Sequence, residues 1–136
     1  MNLNKNFQPV SKSELFLDQK HNAKLIASGF PAASDDYANK KLNLHELLVK
    51  NAPATFFMKV ANNCFSHLSI FENDLLVVDR SEQPVKNSLV IYSCGDDLML
   101  DRLIFRNGRL SPAKIPDAGA AFEFWGVVTF VIHKTA

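Results

Sequence analysis

The chain has 136 residues, 47% of them apolar and 21% charged, with a net charge of +1. That is one domain's length and an ordinary globular composition, which excludes a disordered chain, a coiled coil, a collagen and a disulfide-stapled mini-protein. The charge balance gives no pull toward nucleic acid or an anionic membrane.

Residues 1–20 read MNLNKNFQPVSKSELFLDQK, with no apolar core and no small-residue cleavage signal. No secretory leader is expected from such a stretch. No apolar run approaches the ~18 residues of a membrane span. Cys64 and Cys94 stand thirty positions apart, and nothing in their spacing demands a disulfide. A reduced, cytoplasmic protein is the simplest expectation.

Residues 1–27 lack a clean period, with Leu15, Phe16, Leu17, Leu25 and Ile26 scattered among polar side chains. They read as an N-terminal arm that lies on the body or moves freely. Residues 28–43 open on Ser28-Gly29-Phe30-Pro31 and read as a turn-rich linker. The body is expected over residues 44–136. It should open with a short helix, capped by Asn43 with Glu46 three residues on. Leu44, Leu47 and Leu48 share its apolar face, and Asn51 and Pro53 end it.

From residue 54 the pattern is that of strands. Phe56, Met58 and Val60 alternate with Phe57 and Lys59, and Leu75 to Val78 and Leu89 to Tyr92 follow as short apolar runs. Leu98 to Phe105 is closed by Asn107-Gly108, the strongest short hairpin signal. Phe124 to Ile132 is a last strand rich in aromatic and β-branched residues, and its length suits an exposed edge for pairing. No parallel β-α-β rhythm is present, so a mostly β, antiparallel domain is expected.

Two positions stand out chemically. Cys64 follows a strand and precedes His67 by three residues. If a helical turn starts there, the pair reads as a nucleophile and its base. A small buried cysteine beside a surface histidine is the alternative. Cys64, His67 and Cys94 lack the paired spacing of a zinc site, so no metal is expected. Asp101 shares a strand face with Met99, Leu103 and Phe105, while Arg102 points the other way. A carboxylate on an apolar face is a site residue, an edge-strand group, or one paired with an arginine.

Several stretches, in order and almost without gaps, resemble the LexA/UmuD group of self-cleaving Ser–Lys peptidases, in its UmuD-like branch. They are Ser28-Gly29-Phe30-Pro31, Asp36-Tyr37, Leu44 to Leu48, Ala54 to Lys59, Asp74 to Asp79 and Gly126-Val127-Val128. The resemblance spans about Leu25 to Lys134. It implies a compact antiparallel β peptidase-like domain with a flexible N-terminal arm and a short helix. It also implies a scissile bond in the arm, a serine nucleophile and a neutral lysine base.

Carried onto this sequence, the scissile pair falls on Ser28-Gly29. The nucleophile position falls on Cys64, within Asn62-Asn63-Cys64-Phe65, and the base position on Asp101. Both catalytic residue types are replaced. Cysteine alone would preserve a nucleophile, but a carboxylate opposes a nearby thiolate and is a weak base near neutral pH. Using Ser66 instead would need a two-residue slip in an unbroken spacing. The resemblance therefore implies an SOS-response accessory of translesion DNA synthesis that has lost self-cleavage. Its implied partners are a second copy or an active UmuD, a UmuC-type polymerase and the RecA filament, with no cofactor. The alternatives are a cysteine-dependent self-peptidase cutting Ser28-Gly29 and a LexA-type co-regulator. The short segment before the linker leaves no room for sequence-specific DNA binding by a helix-turn-helix.

Overall fold

The computed structural model describes residues 5–10, 43–115 and 121–136. Ser28-Gly29 and the rest of residues 11–42 lie outside the described residues. The helix α1 spans Leu44–Leu48, and the Oδ1 of Asn43 accepts the Glu46 N–H at 3.3 Å, as the capping pattern requires. None of the helix residues is buried, and Leu47 is half exposed.

The described residues also hold seven strands: β1 Phe7–Pro9, β2 Thr55–Val60, β3 Leu75–Asp79, β4 Leu89–Cys94, β5 Asp97–Arg106, β6 Arg109–Pro112 and β7 Glu123–Ile132. They form one sheet in the order β1-β2-β3-β7-β4-β5-β6, and every neighbouring pair is antiparallel. The mostly β, antiparallel expectation is what the chain folds into.

Both faces of the sheet are covered by apolar side chains. β4 shows why its sequence has no alternation. Leu89 and Ile91 enter one core cluster with Met58, Val60, Leu76 and Val78, while Val90 and Tyr92 enter a second with Leu103, Ile115 and Val127. A strand buried on both faces reads as a continuous apolar run. The β5–β6 turn is built by Asn107 and Gly108 with φ of 55° and 77°, the left-handed pair that a two-residue hairpin needs.

Three features depart from the pattern or go beyond it. The first is β1, three residues without alternation, whose Phe7 is 1% exposed. Phe7 pairs with Val60 in register and stacks on Phe65 at 5.6 Å between ring centroids. The second is β7, which is not an edge strand. It is inserted between β3 and β4, pairing with β3 over Val127–Ile132 and with β4 over Glu123–Val127. Residue pattern alone does not encode strand order, so a rich terminal strand looks the same at an edge or in the middle. The third is a clasp beyond β7. Buried Asp74 places Oδ1 2.5 Å from His133 Nδ1 and accepts the Phe71 N–H on Oδ2.

Gly126 pairs with Ile91 of β4, one residue before the pairing of β7 with β3 begins at Val127. A Cβ built there would lie 2.6 Å from Val78 Cγ1 and 3.3 Å from Arg80 Cγ. Val78 is fully buried, so it has no room to withdraw. Gly126→Ala should lower stability by about 1–3 kcal/mol through overpacking. Chemical denaturation followed by tryptophan fluorescence checks this, and an unchanged midpoint would refute it.

Candidate functional site

Cys64 is positioned by the β2–β3 loop. Its base is pinched where Val60 N–H donates to Asp74 O at 2.9 Å and Asn73 N–H donates to Val60 O at 2.8 Å. Within the loop, Asn62 Oδ1 accepts the Cys64 N–H at 3.0 Å. Asn62 Nδ2 donates to Asn6 Oδ1 at 2.9 Å, and Asn6 Nδ2 donates to Leu98 O at 3.0 Å. A chain of amides therefore ties the cysteine's backbone to the start of β1 and to β5. Phe65 points into the core, and Cys64 is left at the surface. The thiol is exposed, not buried as a small core residue would be.

The helical turn that the nucleophile reading of Cys64 requires does not start at this residue. A three-residue 3-10 turn, Ser66–Leu68, begins two positions later and ends on Ser69 at a left-handed φ of 62°. One such turn lacks the aligned peptides that build a useful dipole. His67 is exposed in that turn and does not line the groove that Cys64 opens onto.

That groove holds about 450 Å³. Its apolar wall is Phe65, Met99, Leu100 and Ile115, and its polar rim is Cys64, Tyr92, Cys94, Asp97 and Lys114. The sequence points to Cys64 and weighs Cys94 beside it as a disulfide or zinc partner, but it does not point to Tyr92 or Lys114 as companions. For Tyr92 a signal existed, since a phenol ends the apolar run Leu89 to Tyr92. For Lys114 none did, because it follows the hairpin strand β6.

Asp101 does not line the groove, although its chain neighbour Leu100 and its hydrogen-bond partner Lys114 do. It is 2% exposed, on β5 between β4 and β6. Its Oδ1 accepts the Arg102 N–H at 2.8 Å, and its Oδ2 accepts the Lys114 N–H at 2.7 Å. It is neither an edge-strand carboxylate nor the partner of a guanidinium in these bonds. It clasps β5 to the segment that follows β6. Arg102 does face the other way, is exposed, and donates from Nη1 to Asn87 O at 2.9 Å.

Tyr92 feels this arrangement. Burial, then the charge of Asp101, then that of Cys94 push its phenol up to about 12. The neutral phenol is thus favoured in the fold more than in the unfolded chain. Stability should be complete below about pH 10 and fall as pH rises from there to about 12. Ultraviolet titration should show one of the protein's two tyrosines ionising near pH 12. Asp101→Asn should bring that step down, and an unmoved step would refute the coupling.

Among the described residues no group of three or more His, Cys, Asp or Glu could hold a metal. Among them, too, no helix is long and apolar enough to cross a membrane.

Comparison with known proteins gives a consistent result. The Peptidase S24-like family profile matches residues 22–111. Protein ImpA of Salmonella typhimurium is 32% identical over 114 residues, covering 79% of this chain and 79% of ImpA. Protein MucA of Escherichia coli is 32% identical over 112 residues, covering 76% of this chain and 77% of MucA. The LexA repressor of Bordetella pertussis is 26% identical over 85 residues, covering 62% of this chain and 39% of the repressor.

Proposed function

The chain belongs to the Peptidase S24-like family, and from that premise we propose that it is a UmuD-like accessory of SOS mutagenesis that does not cut itself. It acts by binding. Its partners in this reading are a second copy or an active UmuD, a UmuC-type translesion polymerase and the RecA filament. The protein needs no cofactor and no metal for this.

The observation that carries the reading is the state of Asp101. A general base must sit within hydrogen-bond reach of the nucleophile it activates. Both carboxylate oxygens here accept backbone N–H groups at 2.7–2.8 Å, and the residue is absent from the wall of the Cys64 groove. Loss of a nucleophile–base pair costs several powers of ten in rate. In this reading what remains is a β domain with an apolar cluster on each face of its sheet, which acts through its surfaces.

A cysteine self-peptidase is the second reading, and the exposure of Cys64 in the groove favours it. In it, Cys64 attacks the Ser28-Gly29 bond, whose residues lie outside the described part of the chain. One experiment separates the two. The purified full chain is incubated at mildly alkaline pH, alone, with RecA–single-stranded DNA–nucleotide filament, and beside an active UmuD. The intact mass should stay full length when the chain is alone and when the filament is added. A fragment beginning at Gly29 that vanishes in Cys64→Ala would overturn the binding-only reading. A fragment seen only beside active UmuD would make the chain a substrate.

A further inference from the structure

The groove carries two thiols, and the proposed function uses neither. Cys64 and Cys94 are both free, both exposed, and both on the wall of the same space of about 450 Å³. They reach it from different elements. Cys64 comes from the β2–β3 loop, and Cys94 is the last residue of β4, paired with Asp97 across the tip of the β4–β5 hairpin.

We propose that Cys64 and Cys94 are one dithiol modification site, which a low-molecular-weight disulfide oxidises to an intramolecular bond tying the loop to the hairpin. A disulfide needs its two β-carbons at about 3.5–4.5 Å, so one side must be able to yield. The hairpin tip is the less crowded side. Gly95 turns with a φ of 68°, and nothing lies within 4 Å of where its Cβ would be. The loop side is held by the amides of Asn62 and Asn6, which fix where Cys64 waits.

The chemistry balances with oxidised glutathione as co-reactant. The thiolate of one cysteine attacks a glutathione sulfur, and the first glutathione leaves and takes up the proton. The second cysteine thiolate then attacks the mixed disulfide, and the second glutathione leaves in the same way. Two protein thiols are oxidised, and one glutathione disulfide is reduced to two thiols. The bond closes across the groove. It forms whether or not Cys64 ever attacks a peptide, so it stands apart from the function proposed above.

The test uses the reduced full chain and oxidised glutathione, read by intact mass and by peptide mapping under non-reducing conditions. The natural chain should lose the mass of two hydrogens, lose both free thiols and run as a single chain. Dithiothreitol should restore it. Cys64→Ser and Cys94→Ser should each stop at one glutathione adduct. Two glutathiones on the natural chain, or a covalent dimer through either cysteine, would overturn the proposal.

Discussion

Phe7→Ala should destabilise the domain by about 3–5 kcal/mol, as large aromatic truncations in well-packed cores do. Phe7 lies far from the rest of the sheet in sequence, yet it is 1% exposed and sits within the main core cluster. Its ring stacks on Phe65 with an 8° angle between planes, directly beneath the loop that presents Cys64. β1 contributes only three residues to the sheet, so the side chain rather than the ladder holds it. Loss of the ring should therefore free the strand and slacken the Asn6–Asn62 tie at the same time. Urea denaturation gives the cost directly. Faster hydrogen exchange at the Cys64 and Ala61 amides should accompany it, because Ala61 N–H donates to Asn6 O at 2.8 Å. A loss below about 1 kcal/mol would mean that β1 is a peripheral strand and not part of the core.

Much of this architecture could be read from local chemistry. The Asn43 cap, the Asn107-Gly108 turn and the runs that became β2 to β5 each depend on neighbours in sequence, and each is where the pattern put it. The parts that could not be read are non-local. β1 has no alternation because it needs just one apolar anchor. β7 crosses over to sit between β3 and β4, and no residue pattern states that order. The site divides along the same line. Cys64 and Asp101 were picked out by residue type and by the family's spacing. What Asp101 touches was hidden, because Lys114 comes to it through the β5–β6 hairpin, thirteen positions on. The alternation of β5 correctly put Asp101 on the Met99 and Leu103 side, but it could not say that backbone N–H groups would meet the carboxylate there.

Asp101→Ala should cost about 2–4 kcal/mol while leaving the intact mass of the incubated protein unchanged. The estimate follows from two N–H groups losing a charged acceptor, at about 1–3 kcal/mol for each group left without a partner. The Lys114 N–H bears more of this, since the Arg102 side chain is exposed and water reaches its neighbourhood more easily. Asp101→Asn should lose roughly half as much, because its carbonyl still accepts one bond while its amide faces the other donor. Asp101→Lys installs the residue type that the resemblance implies at this position, but it breaks the same two bonds and should be no more stable than Asp101→Ala. Guanidinium denaturation of the three variants reads the order, and mass spectrometry reads cleavage. A base and a clasp leave opposite signatures. If Asp101 served a working Cys64, its removal would abolish a fragment and spare the midpoint. If it clasps β5 to the segment after β6, its removal shifts the midpoint and there is no fragment to abolish. The second signature is expected because both carboxylate oxygens accept backbone N–H groups, from Arg102 and from Lys114, and so hold β5 to the segment after β6.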